Sequence, residues 1–159
     1  MPAQTDGPEA ALARLGVELP PPPKPLFSYI PVKVAGSLAH VSGQVPMVEG
    51  EVQVPGHVGS EVSLEEGAAA AKRCAVQALS SLRAAVGSLD RVAGIVQVSV
   101  FVSSAPGFTQ QPTVANGASD FLVEVFGSEA GSHARYAVGV SDLPLNACVE
   151  VALTAELGS

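Results

Sequence analysis

The stretch from Ile95 to Val102 limits most strongly what this chain can become. Val96, Val98, Val100 and Val102 fall on one side of an extended backbone, and Ile95, Gln97, Ser99 and Phe101 on the other. β-Branched residues at period two read as a strand. Apolar groups on both sides place that strand inside a sheet. An inner strand needs partners beside it and a layer over it, and the rest of the chain must supply both.

Two segments carry the helical period. Ser63-Leu64-Glu65-Glu66 is a capping box: the Ser63 hydroxyl accepts from the Glu66 amide while Glu66 reaches back. The helix runs to Val86, with Ala71, Cys74, Ala75, Ala78, Leu82 and Ala85 along its packing face, and Gly87 ends it. Small side chains on that face allow close approach to a sheet. A second helix spans Pro112 to Phe126 and turns Val114, Ala118, Phe121, Leu122 and Val125 inward.

Strands account for the remainder. Ser28 to Val34 and Leu38 to Gln44, separated by Ala35-Gly36-Ser37, predict a hairpin, and Glu51 to Val54 a third short strand after the Glu49-Gly50 turn. Arg135 to Val140 and Cys148 to Thr154 are the last two strands. At the N-terminus Met1 to Thr5 read as disordered. A short helix begins at Asp6-Gly7-Pro8, with Leu12 and Leu15 on one face and Gly16 as its stop. The run Pro20 to Pro23 lacks amide donors and predicts an extended surface arm. Residues 1–26 therefore form a helix and arm, and residues 27–159 the domain. One mixed sheet with two long helices on one face is the α+β architecture these elements make. Its second face is left for another subunit to cover.

Composition narrows the function. Tryptophan is absent, so the core is built from Val, Leu and Ala. The net charge is −7 and only Lys72 and Arg73 are adjacent among the basic residues. Phosphate neutralisation supplies most nucleic-acid affinity, so nucleic acid is not the expected partner. Nothing at the N-terminus has a signal-peptide pattern, and no run approaches the ~20 apolar residues of a membrane span. The expectation is a cytoplasmic protein with Cys74 and Cys148 as buried thiols. His40, His57 and His133 show no metal-ligand spacing, and the glycines match neither a P-loop nor a dinucleotide fingerprint, so no metal or cofactor is expected.

Arg135 and Glu150 are the candidates for chemistry. If the valines of the last two strands face the helices, both charges point from the opposite face amid Ala and Gly. A hairpin through Leu143-Pro144 would bring them together. Such a pair is either an exposed ion pair, worth roughly 0–1 kcal/mol, or the floor of an open site. In a site, the guanidinium captures a carboxylate and the glutamate positions or deprotonates water.

Ser42-Gly43-Gln44-Val45-Pro46 and Arg135-Tyr136-Ala137-Val138-Gly139-Val140, followed by Leu143-Pro144 and Val149-Glu150-Val151, occur in an order that resembles the Rid/YjgF (L-PSP) family from Tyr29 to Thr154. Ser104 to Phe108 and Asn116 to Asp120, with the N-terminal helix and arm, look like a longer subgroup of it. The resemblance implies a chorismate-mutase-like fold and a homotrimer with a central barrel and sites in the clefts between subunits. It also implies roles: Arg135 for the substrate carboxylate, Gly43 for backbone contacts, Glu150 for placing water, and Tyr29 and Asn116 as cleft lining. Ala137 stands where deaminase members often carry cysteine, which tunes the pocket. The activity implied is hydrolysis of 2-imino and 2-enamino acids to 2-oxo acids and ammonia. The competing readings are a non-catalytic module that binds a small carboxylate and, against the charge balance, an endoribonuclease.

Overall fold

The computed structural model of the protein describes residues 6–24 and 27–159. The disorder expected for Met1 to Thr5 lies outside the described residues, as does Leu26, the expected end of the arm. Helix α1 spans Pro8–Leu15, between Gly7 as N-cap and Gly16 in the left-handed region. Ala11 and Leu12 are buried, whereas Leu15, expected beside Leu12, is exposed. Glu9 anchors this helix: its carboxylate accepts from the Leu89 amide at 2.9 Å and pairs with Arg83 at 3.3 Å. The proline arm follows without regular structure, and the Ser80 hydroxyl donates to its Pro20 carbonyl.

Helix α2 spans Leu64–Val86 and starts on the expected capping box. Ser63 Oγ accepts from the Glu66 amide at 3.1 Å, and Glu66 Oε2 accepts from the Ser63 amide at 2.8 Å. Ala71, Cys74, Ala75, Ala78 and Leu82 are buried; Ala85 is exposed and Val86 takes the last inward position. Helix α3 spans Gln111–Ala130 and packs along α2. The two backbones nearly touch at Gly117, where a Cβ would lie 1.9 Å from the Ala68 carbonyl oxygen. Only glycine permits that approach.

The five-stranded sheet has the order β1-β2-β7-β5-β6. Its strands are β1 (Val32–Ala35), β2 (Leu38–Gln44), β5 (Val92–Ser103), β6 (Ala134–Val140) and β7 (Val149–Leu157). β1 begins later than the expected Ser28, just after Pro31, which has no amide to give the ladder. In place of one short strand after β2 there are two, β3 (Met47–Val48) and β4 (Glu51–Val52), paired in a separate ribbon. Glu49 and Gly50, both at positive φ, make the tight turn between them.

β5 lies inside the sheet, as its composition predicts. Val98, Val100 and Val102 are buried, but Val96 is 42% exposed and Ile95 buried in its stead. A register shift against β7 between Ile95 and Gln97 is the cause, since one extra residue moves every neighbour to the other face.

The expected hairpin of the last two strands does not form. β5 pairs with both, antiparallel to β7 and parallel to β6, and so separates them. The chain leaves β5, crosses through α3 and returns in the same direction, which is how parallel neighbours are joined. β6 is consequently an edge strand. Both long helices cover one sheet face, and the other carries Lys33, His40, Gln97, Ser99, Tyr136, Val138 and Thr154, uncovered within the chain.

Candidate active site

The face assignment expected for β6 is reversed in the structure. Tyr136 and Val138 point to the uncovered face, at 60% and 43% exposure, while Arg135 and Ala137 point toward α3. Counting valines misleads here because the uncovered sheet face is itself apolar near this edge. The part of α3 that meets Arg135 offers polar groups, Asn116 and Ser119, one helical turn apart.

Those two residues lock the guanidinium. Arg135 Nη1 donates to Asn116 Oδ1 at 2.8 Å and to Ser119 Oγ at 3.1 Å. Ser119 Oγ also lies 2.9 Å from His133 Nε2, whose Nδ1 is 2.7 Å from the Gly131 carbonyl oxygen. A carbonyl can only accept, so the proton sits on Nδ1 and Nε2 accepts from the serine hydroxyl. The chain of donors then runs one way, from Arg135 through Ser119 and His133 to Gly131. Both contacts leave from Nη1, and among the described residues the Nε–Nη2 edge of Arg135 has no partner. That edge has the fork geometry that grips a carboxylate with two parallel bonds.

Glu150 belongs to β7, where alternation holds: Val149, Val151 and Leu153 are buried toward the helices and Glu150 emerges on the other side. It borders a cavity of about 540 Å³ whose lining includes Tyr29, Ser42, Gly43, Gln44, Met47 and Leu145. Burial raises the pKa of the Glu150 carboxyl, because its charge has lost solvent without gaining a paired cation. A Cβ on Gly43 would fall 2.1 Å from Glu150 Oε1. The glycine thus lets the carboxylate rest against bare backbone.

Helix α2 fixes the Val45–Met47 segment that follows β2. Gln77 Oε1 accepts from the Met47 amide at 2.7 Å and its Nε2 donates to the Val45 carbonyl at 2.9 Å, while Arg73 Nε donates to the Met47 carbonyl at 3.0 Å. On the opposite rim, Leu145 and Asn146 both have positive φ, of 59° and 58°. The left-handed region costs an ordinary L-residue roughly 1–2 kcal/mol. Supporting bonds hold the turn: the Gly56 amide donates to the Asn146 carbonyl at 2.9 Å, and His57 Nε2 lies 2.9 Å from the Ser141 carbonyl and 3.1 Å from Asp142. The hydrogen bond to Asp142 is the largest of the effects raising the His57 pKa.

The candidate residues therefore divide into two groups. Tyr29, Gly43 and Glu150 surround the cavity, while Asn116, Arg135 and Ala137 lie at the β6 edge against α3. Arg135 is level with Val98 of β5 and Glu150 with Phe101, on opposite sheet faces. Two strand spacings across and three residues along separate their Cα atoms by roughly 14 Å. A single chain does not bring the two charges to one substrate.

Sequence reasoning missed Ser119 and Gln77. Ser119 stands three residues after Asn116, at the spacing that shares a helix face, and Gln77 is a lone amide on an alanine-rich buried stripe. Both were legible as polar groups where a helix packs. The thiols take no part: Cys74 and Cys148 are free and buried, and burial pushes Cys148 up to about 11 and Cys74 well above the ordinary thiol range. Among the described residues no group of three or more His, Cys, Asp or Glu gathers as a metal site, and no helix is long and apolar enough to cross a membrane.

Comparison with known proteins places this geometry among relatives. A family model described as "YjgF/chorismate mutase-like, putative endoribonuclease" matches residues 9–157. Protein TCP17 of Trypanosoma cruzi is 47% identical over 150 residues, covering 94% of each chain. The structure of Atu1372 from Agrobacterium tumefaciens, of unknown function, has a TM-score of 0.88 at 39% identity, over 95% of this chain and 92% of that one. A Shewanella oneidensis structure, also called an endoribonuclease in that qualified sense, has a TM-score of 0.91 at 34% identity, over 96% of this chain and all of the other.

Proposed function

Because the chain belongs to the YjgF/chorismate mutase-like family, we propose that it hydrolyses 2-imino and 2-enamino acids to 2-oxo acids and ammonia. The observation that carries this reading is the Nε–Nη2 edge of Arg135, without a partner among the described residues while Asn116 and Ser119 hold the group in place. A 2-imino acid presents the planar carboxylate such an edge binds.

The site is completed by a second copy of the chain. One copy supplies Arg135, Asn116 and Ala137, and its neighbour supplies Tyr29, Gly43 and Glu150, in a homotrimer with clefts between subunits. β6 lies at a sheet edge and the adjoining face is uncovered, which leaves room for that contact.

In the reaction, Arg135 holds the carboxylate and so orients the C=N bond. Glu150 positions a water and takes its proton as oxygen attacks the imine carbon. The raised proton affinity of Glu150 suits it to pass that proton to the departing nitrogen. The C–N bond then breaks, the carbonyl forms, and water has been consumed for one ammonia released. An enamine first tautomerises to the imine. Imines hydrolyse unaided, so orientation and modest acid–base help are sufficient.

The test is release of ammonia or 2-oxo acid from freshly generated 2-imino acids, comparing the wild type with Arg135→Ala. Release above the buffer rate, lost in the variant, supports the reading; full activity in the variant refutes it. The second reading is a carboxylate-binding module of the same fold, which the same Arg135 edge serves. Glu150→Gln separates the two, since binding survives it and hydrolysis does not. The endoribonuclease label carried by some relatives finds little support in a chain of net charge −7 whose basic residues are scattered.

A further inference from the structure

The cavity beside Glu150 is walled by large apolar side chains that remain exposed without filling it. Phe27 is 80% and Leu145 65% exposed, and Tyr29, Val45 and Met47 line the same space. They come from three separate segments: the chain after the proline arm, the loop following β2, and the turn at Pro144–Asn146. Apolar groups gathered around an opening, where burial among themselves would be favourable, mark a place for an apolar ligand group.

Leu145 is a second, independent observation. It is a bulky residue in the left-handed region, with φ 59° and ψ 24°, facing solvent. Neither backbone preference nor packing accounts for leucine there, whereas Asn146 beside it is a residue type that tolerates this conformation. The turn is held from beneath by the Gly56–Asn146 and His57–Ser141 contacts. Strain maintained by surrounding structure is typical of positions that act on a ligand.

Resting on the deaminase reading above, we infer that Phe27, Tyr29, Met47 and Leu145 form the side-chain subsite, and that the protein selects 2-imino acids bearing large, uncharged apolar side chains. With the carboxylate on Arg135 and the imine carbon at Glu150, the substrate side chain extends into this wall. The cleft of one chain, about 540 Å³ before a second copy closes it, has room beside Glu150 for more than a methyl or hydroxymethyl group. An acidic side chain would bring a second carboxylate beside the half-buried Glu150, and Lys24 is the one cation among the lining residues.

The experiment generates imino acids in situ with an amino-acid oxidase from leucine, phenylalanine, alanine and aspartate, and measures kcat/KM for each above the buffer rate. The leucine-derived substrate is expected to exceed the alanine-derived one by roughly 100-fold, in line with what a few methylenes decide in an apolar pocket. Leu145→Ala and Phe27→Ala should each lower that ratio about tenfold; both side chains are exposed, so folding is not at risk. A ratio near one, a preference for the acidic substrate, or a ratio unchanged in both variants overturns the inference. An unchanged ratio with an altered assembly mass in Leu145→Ala would assign the wall to contact between copies instead. If the wild type hydrolyses none of the four, the deaminase reading falls. Binding of 2-oxo acids by calorimetry then decides the subsite: tighter binding of the large apolar acid than of pyruvate upholds it, and equal binding ends it.

Discussion

Gly43→Ala tests the closest contact in the candidate site. The new Cβ would lie 2.1 Å from Glu150 Oε1, 2.8 Å from Cδ and 3.1 Å from Cγ. Ordinary contact begins near 3.5 Å, so the carboxylate must retreat by about 1.4 Å. Gly43 does not use the left-handed region, so alanine adds no backbone strain. The obstructed atoms are the far end of a flexible side chain beside an open cavity, and swinging aside relieves most of the clash. The stability cost should stay below about 1 kcal/mol, under the usual range for overpacking a closed core. Catalysis has no such escape, because a misplacement of about 1 Å can cost 10²-fold in rate. A hundredfold fall in kcat/KM corresponds to about 2.7 kcal/mol at the transition state. Continuous 2-oxo acid detection reads the rate, and urea unfolding of the same samples reads the stability. Activity within threefold of the wild type in a folded variant would refute the role given to this juxtaposition. A loss of more than about 3 kcal/mol in stability would refute the claim that Glu150 is free to move.

Further perturbations separate the parts. Burial raises the Glu150 pKa, so the folded state holds that proton more tightly than the unfolded one, and stability falls as pH rises from the ordinary carboxylate range through the raised value. Glu150→Gln should therefore raise the urea midpoint at pH 7.5, with the gain vanishing near pH 4; equal gains at both pH values would contradict the burial argument. Ser119→Ala removes one of the two bonds on Arg135 Nη1 and should raise KM several-fold with kcat little changed, and Ser119→Thr, which restores the hydroxyl, should recover it. A fall in kcat alone would show that Ser119 does not act through carboxylate binding. Gln77→Leu leaves the Met47 amide and Val45 carbonyl without their partner, and should cost about 1–3 kcal/mol in chemical denaturation while loosening the loop that follows Gly43 and β2. No loss would mean that Arg73 alone secures the loop.

Much of the fold is local, and local features were readable. The capping box at Ser63 and Glu66, the stop at Gly87, the turn at Gly36 and the strand at Leu38–Gln44 depend on residues a few positions apart, and each is where the sequence places it. The features that escaped depend on distant partners. The bulge that exposes Val96 arises from register with β7, some sixty residues away in the chain. The reversed face of β6 arises from Asn116 and Ser119 arriving across α3. Valine has no means of recording which apolar surface it will meet.

For the candidate site, alternation along the chain picks out Arg135 and Glu150 amid small neighbours, while Gly43 and Asn116 enter only through the family resemblance. How they are shared out follows from strand order, a nonlocal property that no one segment carries. α3 carries β6 to the outer side of β5, and that one crossover puts Arg135 and Glu150 on opposite faces, two strands apart. Alternation along a strand fixes relative facing within that strand, whereas pairing, which no single segment encodes, sets the facing between strands.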